Sequence, residues 1–538
     1  MSNLLPNDYQ TFIATSRYAR WLEEEGRRET WGETVSRYMN NIVKPVAGDD
    51  TYIKNIEQAI LSLEVMPSMR AMMTAGAAAN RDNTCMYNCS YLAVDDPKAF
   101  DEAMHILLCG TGVGFSVERQ YINSLPEIPQ LFYSDTIVMV RDSKEGWAKA
   151  FRQVLALLWA GEIPKWNVDK VRPAGARLKT FGGRASGPAP LVDLFNFAVT
   201  TFKKAQGRKL SSIEAHDLMC KVGEVVVVGG VRRSAMISLS NLSDDRMRHA
   251  KSGKWWENDP QRALANNSVA YSEKPDSMSF MREWTALVES GSGERGIFNR
   301  QAAIKQAAKN GRRDPNREWG INPCSEIILA GPRTDPKTGN PIVGTGGQFC
   351  NLSEVVVRAT DTIEDLERKV RLATILGTIQ ATYTKFPYLR KVWEKNTAEE
   401  RLLGVSLTGI MDNPLMTTAN KGLAETLEHL KQVAVDTNKE WADRLGIEQS
   451  AAITCVKPSG TVSQLVDSAS GIHARHSPYY IRTVRGDNKD PLTQFMIDQG
   501  IPNEPEAFKP DQTTVFSFPV KSPEGAVCTA NMTAIEQL

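Results

Sequence analysis

The sequence has no charge of one sign to spare, no long apolar run and few cysteines. Its 538 residues carry 64 Lys plus Arg against 63 Asp plus Glu, a formal net charge of +1. A surface so balanced gives no field to gather nucleic acid or an anionic membrane, so neither is expected as a partner. No stretch reaches the roughly 18 apolar residues that a membrane helix needs. Met1–Tyr9 lacks a basic segment followed by an apolar run, so no secretory signal is read there. Eight cysteines in 538 residues are too few for a disulfide framework. A reducing cytoplasm is the expected location, the host's if the chain is viral, and any disulfide is expected to be catalytic. Cys85 and Cys89 stand four apart with no second pair and no neighbouring His, so no metal site is expected. The signatures GxSxG, HExxH, Walker A and those of the protein kinases are absent, which excludes the common hydrolases and phosphotransferases.

The hydrophobic pattern alternates between two periods. Tyr18, Trp21, Leu22, Trp31, Val35 and Tyr38 recur at helical spacing, so about 9–63 reads as helices. Helices are also predicted over 101–108, 145–158, 277–288, 363–381, 423–445 and 491–499. Strands are predicted over 136–140, as a buried strand, over the four valines 225–228, and over 236–239 and 452–456. Such alternation implies an α/β fold with a largely parallel core. Two regions are expected, a helical one over 1–65 and a catalytic one over 66–538. The segment 331–347 is dense in Gly and Pro and reads as a loop.

Asn322-Pro323-Cys324-Ser325-Glu326 places an amide, a thiol and a carboxyl at alternate positions. In an extended segment these point the same way, and Pro323 biases Asn322 toward that conformation. The group makes a workable catalytic unit or, equally, a buried Cys beside an exposed Glu. Cys350 follows across the 331–347 loop and is free to approach Cys324 or Cys89, or to be an ordinary core cysteine. Lys457-Pro458-Ser459-Gly460-Thr461 reads as an anion-binding helix start or as a bare N-cap turn. Gly229 to Ala235, with Arg232 and Arg233, is either a phosphate-gripping loop or a plain strand connection. Gly110 to Phe115 lacks the dinucleotide spacing and reads as a tight turn entering a strand.

Taken in order, GTGVGFSV, FGGRASGP, GGVRRSA, NPCSE, FCNLSE and KPSGT resemble the catalytic subunit of the ribonucleotide reductases. Within that family the chain is most similar to the adenosylcobalamin-dependent class II enzymes, especially the monomeric ribonucleoside-triphosphate reductases. The resemblance implies a ten-stranded α/β barrel of two antiparallel halves with a central finger loop, preceded by the helical region. It implies reduction of ribonucleotides, triphosphates first among them, to 2′-deoxyribonucleotides for DNA precursor synthesis, with adenosylcobalamin as cofactor. Cys324 becomes the fingertip thiyl radical that takes the ribose 3′ hydrogen. Glu326 takes the 3′-hydroxyl proton, Asn322 hydrogen-bonds the ribose, and Cys89 and Cys350 supply the reducing equivalents. Ser68, Ser459, Gly460 and Thr461 match substrate-phosphate contacts. Asp142 and Ser143 match the start of an effector site, and Arg232 and Arg233 lie on the specificity loop. Implied partners are a ribonucleotide, a deoxynucleotide effector and a thioredoxin-like reductant.

The chain also departs from the pattern. It stops in what reads as a helix, so the barrel is expected to be incomplete, with a last strand and a cysteine-bearing tail on a separate C-terminal polypeptide, after an intervening sequence, or cut away. The connection between GTGVGFSV and RDSKEGW is short, so the insertion of the monomeric enzymes is not expected, and neither is an N-terminal ATP cone. Two other readings stand beside this one: a class I-type large subunit served by a metal-containing small subunit, and an inactive nucleotide-binding protein.

Overall fold

The computed structural model describes residues 5–176, 185–227 and 235–538. Arg232, Arg233 and much of FGGRASGP lie outside the described residues.

The N-terminal region is helical, as its periodicity predicts. The Trp31–Tyr38 helix starts at a Thr30 capping box closed by Glu33, and Thr51–Leu61 starts at an Asp50 cap. Val35, Tyr38, Ile53, Ile56 and Ile60 are buried along the facing stripes. A short hairpin, Trp21–Leu22 with Arg27–Arg28, interrupts this region.

The strands follow in chain order. They are β1 (Val65–Met66), β2 (Cys89–Ala93), β3 (Gly112–Ser116), β4 (Phe132–Met139), β5 (Glu162–Asn167), β6 (Met236–Asn241), β7 (Ala265–Tyr271) and β8 (Gly296–Asn299). Then come β9 (Arg317–Ile321), β10 (Ile328–Arg333), β11 (Gln348–Cys350), β12 (Ser353–Val356) and β13 (Val405–Thr408). The main sheet has the order β8-β7-β6-β3-β2-β11. Its first five strands are parallel and β11 is antiparallel to β2. The Lys98–Leu108 helix joins β2 to β3 and the Ser277–Ser290 helix joins β7 to β8, as parallel strands require. A second sheet, β13-β12-β1, lies beyond β11. The expected α/β class and parallel core are both present. Among the described residues no ladder joins these sheets into a closed ring.

Three predicted elements differ. Val225–Val227 end a helix, Ser212–Val227, because Leu218, Met219 and Val222 are buried with Val225 and Val226, and packing overrides the β preference of valine. The strand predicted over 136–140 exists as β4, but it pairs only with β5 and leaves Phe132, Tyr133, Ile137 and Met139 exposed. It is therefore not the buried strand expected. The segment 452–456 forms a single bridge, Thr454 to Val405, rather than a ladder.

β9 and β10 form an antiparallel hairpin with Ile321 opposite Ile328. This finger has an apolar cluster of its own. Trp319, Ile321 and Leu329 pack with Tyr91, Ile237, Leu239 and Phe298, which come from strands of the main sheet. Side chains alternate along a strand, so β2 turns Cys89 and Tyr91 toward the finger and Leu92 toward the outer core. The same alternation explains GTGVGFSV. Gly110 makes the turn, at φ 84°, while Gly114 lets the finger backbone touch β3: a Cβ there would fall 1.8 Å from the Ile321 carbonyl oxygen.

Candidate active site

The finger ends in a β-turn. The Ser325 N–H donates to the Asn322 carbonyl at 2.9 Å, with Pro323 and Cys324 at the two corners. Asn at the first position and Pro at the second are the residues such a turn favours. The segment is therefore not extended, and Asn322, Cys324 and Glu326 do not align as on a strand. They meet because the turn folds back. Asn322 Nδ2 donates to Glu326 Oε2 at 2.6 Å, and Asn322 Oδ1 accepts from the Ile327 N–H at 3.0 Å. The amide is thereby fixed at both ends, and it holds the carboxylate beside the thiol. Cys324 is exposed at the corner, whereas Cys89 and Cys350 are buried.

Cys350 on β11 stands directly opposite Cys89 on β2. Opposed residues of an antiparallel pair lie about 4.5–5.5 Å apart at Cα and turn their side chains to the same face, within the span a disulfide bridges. The two thiols share a hydrogen bond, and that bond, then burial, pushes the Cys350 thiol well above its ordinary range. Cys324 is pushed up to about 11, first by desolvation and then by Glu326 and Cys89, with Lys457 acting weakly the other way. Both thiols therefore keep their protons at neutral pH. That suits hydrogen-atom and two-electron chemistry rather than thiolate attack.

Four further groups join the site, and of these only Lys457, in KPSGT, was named from the sequence. Glu354, buried on β12, accepts from Lys457 Nζ at 2.6 Å on one oxygen and from the Ser459 hydroxyl at 2.6 Å on the other. Burial acts to lower the Lys457 ammonium, but the Glu354 carboxylate outweighs it and the net shift is upward. Lys457 and Ser459 flank Pro458 and so share one side of the chain, the only signal of this arrangement in the sequence. Cys455 packs against the cluster of Cys89 and Cys350, and burial raises its thiol. Tyr91 is the fourth.

The other expected site residues fall in three places. Ser68 caps the Met69–Thr74 helix, and its hydroxyl donates to Asn88 Oδ1 at 2.6 Å, next to Cys89. Ser459 is bound to Glu354, while Gly460 and Thr461 start the five-residue Thr461–Leu465 helix. Asp142 pairs with Arg172 at 2.7 Å, and Ser143 caps the Lys144–Trp159 helix, outside the thiol cluster.

A second thiol cluster lies under that helix start. Asp82, His105 and Cys109 are buried, with ligand-capable atoms within 4.8 Å of one another. Lys144 Nζ lies 3.0 Å from Cys109 Sγ and 4.0 Å from Asp82 Oδ2, so an ammonium already stands where a cation would. We read it as an ion network.

The family model "B12-dependent ribonucleotide reductase, insertion domain" matches residues 125–201. That corrects the expectation that the insertion is missing: β4, β5 and the helices beside them occupy the matched span. The chain is 26% identical to an adenosylcobalamin-dependent ribonucleoside-triphosphate reductase of Lactobacillus gasseri, over 94% of this chain and 78% of the relative. It is 27% identical to that of Lacticaseibacillus paracasei, with the same coverage. Among solved structures it resembles a B12-dependent (class II) ribonucleotide reductase with a TM-score of 0.78 and 22% identity, covering 98% of this chain and 83% of that one. The Actinobacillus ureae class Id ribonucleotide reductase alpha subunit is more distant, at a TM-score of 0.54 and 13% identity.

Proposed function

The chain belongs to the adenosylcobalamin-dependent (class II) ribonucleotide reductases, and on that premise we propose that it reduces ribonucleoside triphosphates to 2′-deoxyribonucleotides with Cys324, Glu326, Asn322, Cys89 and Cys350 as the working residues. The observation that carries this reading is the register of Cys350 against Cys89 together with the Asn322–Glu326 hydrogen bond at the fingertip.

The residues fit the cofactor. Adenosylcobalamin brings its metal with it, so it asks of the protein a reachable thiol that keeps its proton rather than a set of metal ligands. Cys324 is exposed and protonated, and with Ser325 at the tip it is the part of the chain that would face the group. When bound, the cofactor supplies the radical equivalent that makes Cys324 a thiyl. From there the chain's own groups act. Cys324 takes the ribose 3′ hydrogen atom, and Glu326 takes the proton of the 3′-hydroxyl. Asn322 positions both Glu326 and the sugar. The 2′-hydroxyl leaves as water, and two electrons and two protons come from Cys89 and Cys350, which join as a disulfide. Glu326 returns its proton to the 3′ oxygen, and Cys324 returns its hydrogen atom to C3′ and is a thiyl again. An external dithiol, thioredoxin-like in the cell, then reopens the pair by exchange.

The finer parts of the reading go with it. We take the two sheets as the halves of a ten-stranded barrel around the finger, with 1–65 as a helical region and 66–538 as the catalytic unit. Ser68, Ser459, Gly460 and Thr461 contact the substrate phosphates. Asp142 and Ser143, with Arg232 and Arg233, form the effector and specificity site for a deoxynucleotide. The enzyme works in the cytoplasm, and no described helix is long and apolar enough to cross a membrane. The test is deoxycytidine triphosphate formation from CTP, adenosylcobalamin and dithiothreitol. Product that requires the cofactor is expected; product formed equally well without it would refute the assignment.

A further inference from the structure

Besides the backbone contact at Gly114, the finger meets the sheet closely at one side chain. Tyr91 is fully buried on β2, two residues after Cys89 and on the same face. Its ring lies against both strands of the finger. A Cβ on Gly320 of β9 would fall 2.0 Å from Tyr91 Cζ, and one on Gly331 of β10 would lie 3.3 Å from Tyr91 Cε1. Gly114 closes the same contact from β3, where a Cβ would lie 3.3 Å from Tyr91 Cδ2. Three glycines from three strands therefore converge on one ring. All three glycines face ring carbons of Tyr91, so the contact is made by the ring.

The surroundings stop the finger from sliding past this contact. Arg300 Nε donates to the Trp319 carbonyl at 3.0 Å, and its guanidinium is paired with buried Glu118 at 2.7 Å. Tyr121 donates to Glu318 on the same strand. On the other strand the Ala330 N–H donates to Gln348 Oε1 at 2.7 Å. These bonds fix both strands of the hairpin, and toward the sheet it meets the Tyr91 ring on β2 and, through Ile321, the β3 backbone at Gly114.

Resting on the function proposed above, we propose that Tyr91 is a positioning residue that sets the height of the Cys324 fingertip over the Cys89–Cys350 pair. It does not touch the substrate. A close-packed contact of this kind resists shifts of a fraction of an ångström, and misplacing a reacting group by about 1 Å costs on the order of a hundredfold in rate. Tyr91→Phe keeps the ring and is expected to keep kcat within about twofold. Tyr91→Leu is expected to lower kcat about ten- to a hundredfold while KM for the nucleotide stays within about threefold. Gly320→Ala presses on the ring from the finger side and is expected to lower kcat similarly. Gly320→Ala with Tyr91→Leu in one chain is expected to recover at least tenfold over Gly320→Ala alone, a rescue that general loss of stability would not give. A second readout needs no turnover. With Cys350→Ser as background, the rate of Cys324–Cys89 disulfide formation under diamide reports fingertip height, and Tyr91→Leu should change it about tenfold while Tyr91→Phe does not. Unchanged kcat and an unchanged trapping rate in a folded Tyr91→Leu chain would overturn the proposal. If the chain with Tyr91 intact made no deoxynucleotide, the functional reading would fail, and the trapping rates would still decide the role of Tyr91.

Discussion

Two groups of thiols in this chain are treated in opposite ways by their neighbours. At the fingertip, Cys324, Cys350 and Cys455 are surrounded by apolar groups, by each other and by carboxylates, and all three are shifted upward. Under the Lys144–Trp159 helix, burial alone would raise Cys109. The His105 imidazole and the Lys144 ammonium outweigh it and hold the thiol below its ordinary value. Desolvation pushes the thiols up in both places, exposed Cys324 included, so it does not alone decide what a cysteine does. The sign of the charge beside it decides. A thiol that keeps its proton has a hydrogen atom to give, whereas a buried thiol held down by an imidazole and an ammonium belongs to an ion network. The comparison assigns chemistry to the first group and ion pairing to the second.

The largest effect that tests this division is at Cys324. Cys324→Ser is expected to lower deoxynucleotide formation by at least about a thousandfold with an unchanged circular dichroism spectrum, whereas Cys109→Ser should leave kcat within a few fold. Glu326→Gln keeps the hydrogen bond from Asn322 but removes the proton acceptor, and a loss of about a hundredfold or more in kcat is expected. Alkylation separates protonation from reactivity. With its value near 11, the Cys324 thiolate fraction is expected to rise about tenfold per pH unit from pH 7 to 10, followed as iodoacetamide labelling of Cys324 by mass spectrometry. A plateau below pH 9 would contradict that value. The smallest effect is on stability. Burial lowers the His105 imidazole, but Cys109 and Asp82 raise it further, to about 9 against an ordinary 6.5. A folded value above the unfolded one stabilises fully below 6.5 and loses that contribution as pH rises through about 9. Cys109 is shifted downward, so its contribution runs the other way; the denaturation midpoint should change little between pH 7 and 9, and a steep fall over that range would contradict the ion network.

How much of this was legible in the sequence varied with the range of the interactions involved. The helices Leu423–Leu445 and Ile363–Gln380 were legible because their apolar spacing is local. The valine run at 225 misled, because a helix buried by its neighbours tolerates β-branched residues. At the fingertip the residue types were legible but the geometry was not: Pro323 suits both an extended residue before it and a turn, and the turn is chosen by the hairpin. The opposition of Cys89 and Cys350 could be given only by resemblance, since register between distant strands is a tertiary property. Tyr91 carried no signal, because nothing local says that three glycines from other strands will meet on its ring. Glu354 stands in FCNLSE, but only the fold brings Lys457 and Ser459 to its two oxygens.

The most direct test of the account is to map the disulfide formed in a single turnover without external reductant. Pre-reduced protein would be mixed with adenosylcobalamin and CTP, quenched with an alkylating agent in acid, digested and sequenced by mass spectrometry. The account predicts one Cys89–Cys350 disulfide for each deoxynucleotide formed, and none in the Cys324→Ser chain. A disulfide that joined Cys324 or Cys455 to another residue in proportion to product, or product with all of these thiols still reduced, would contradict it.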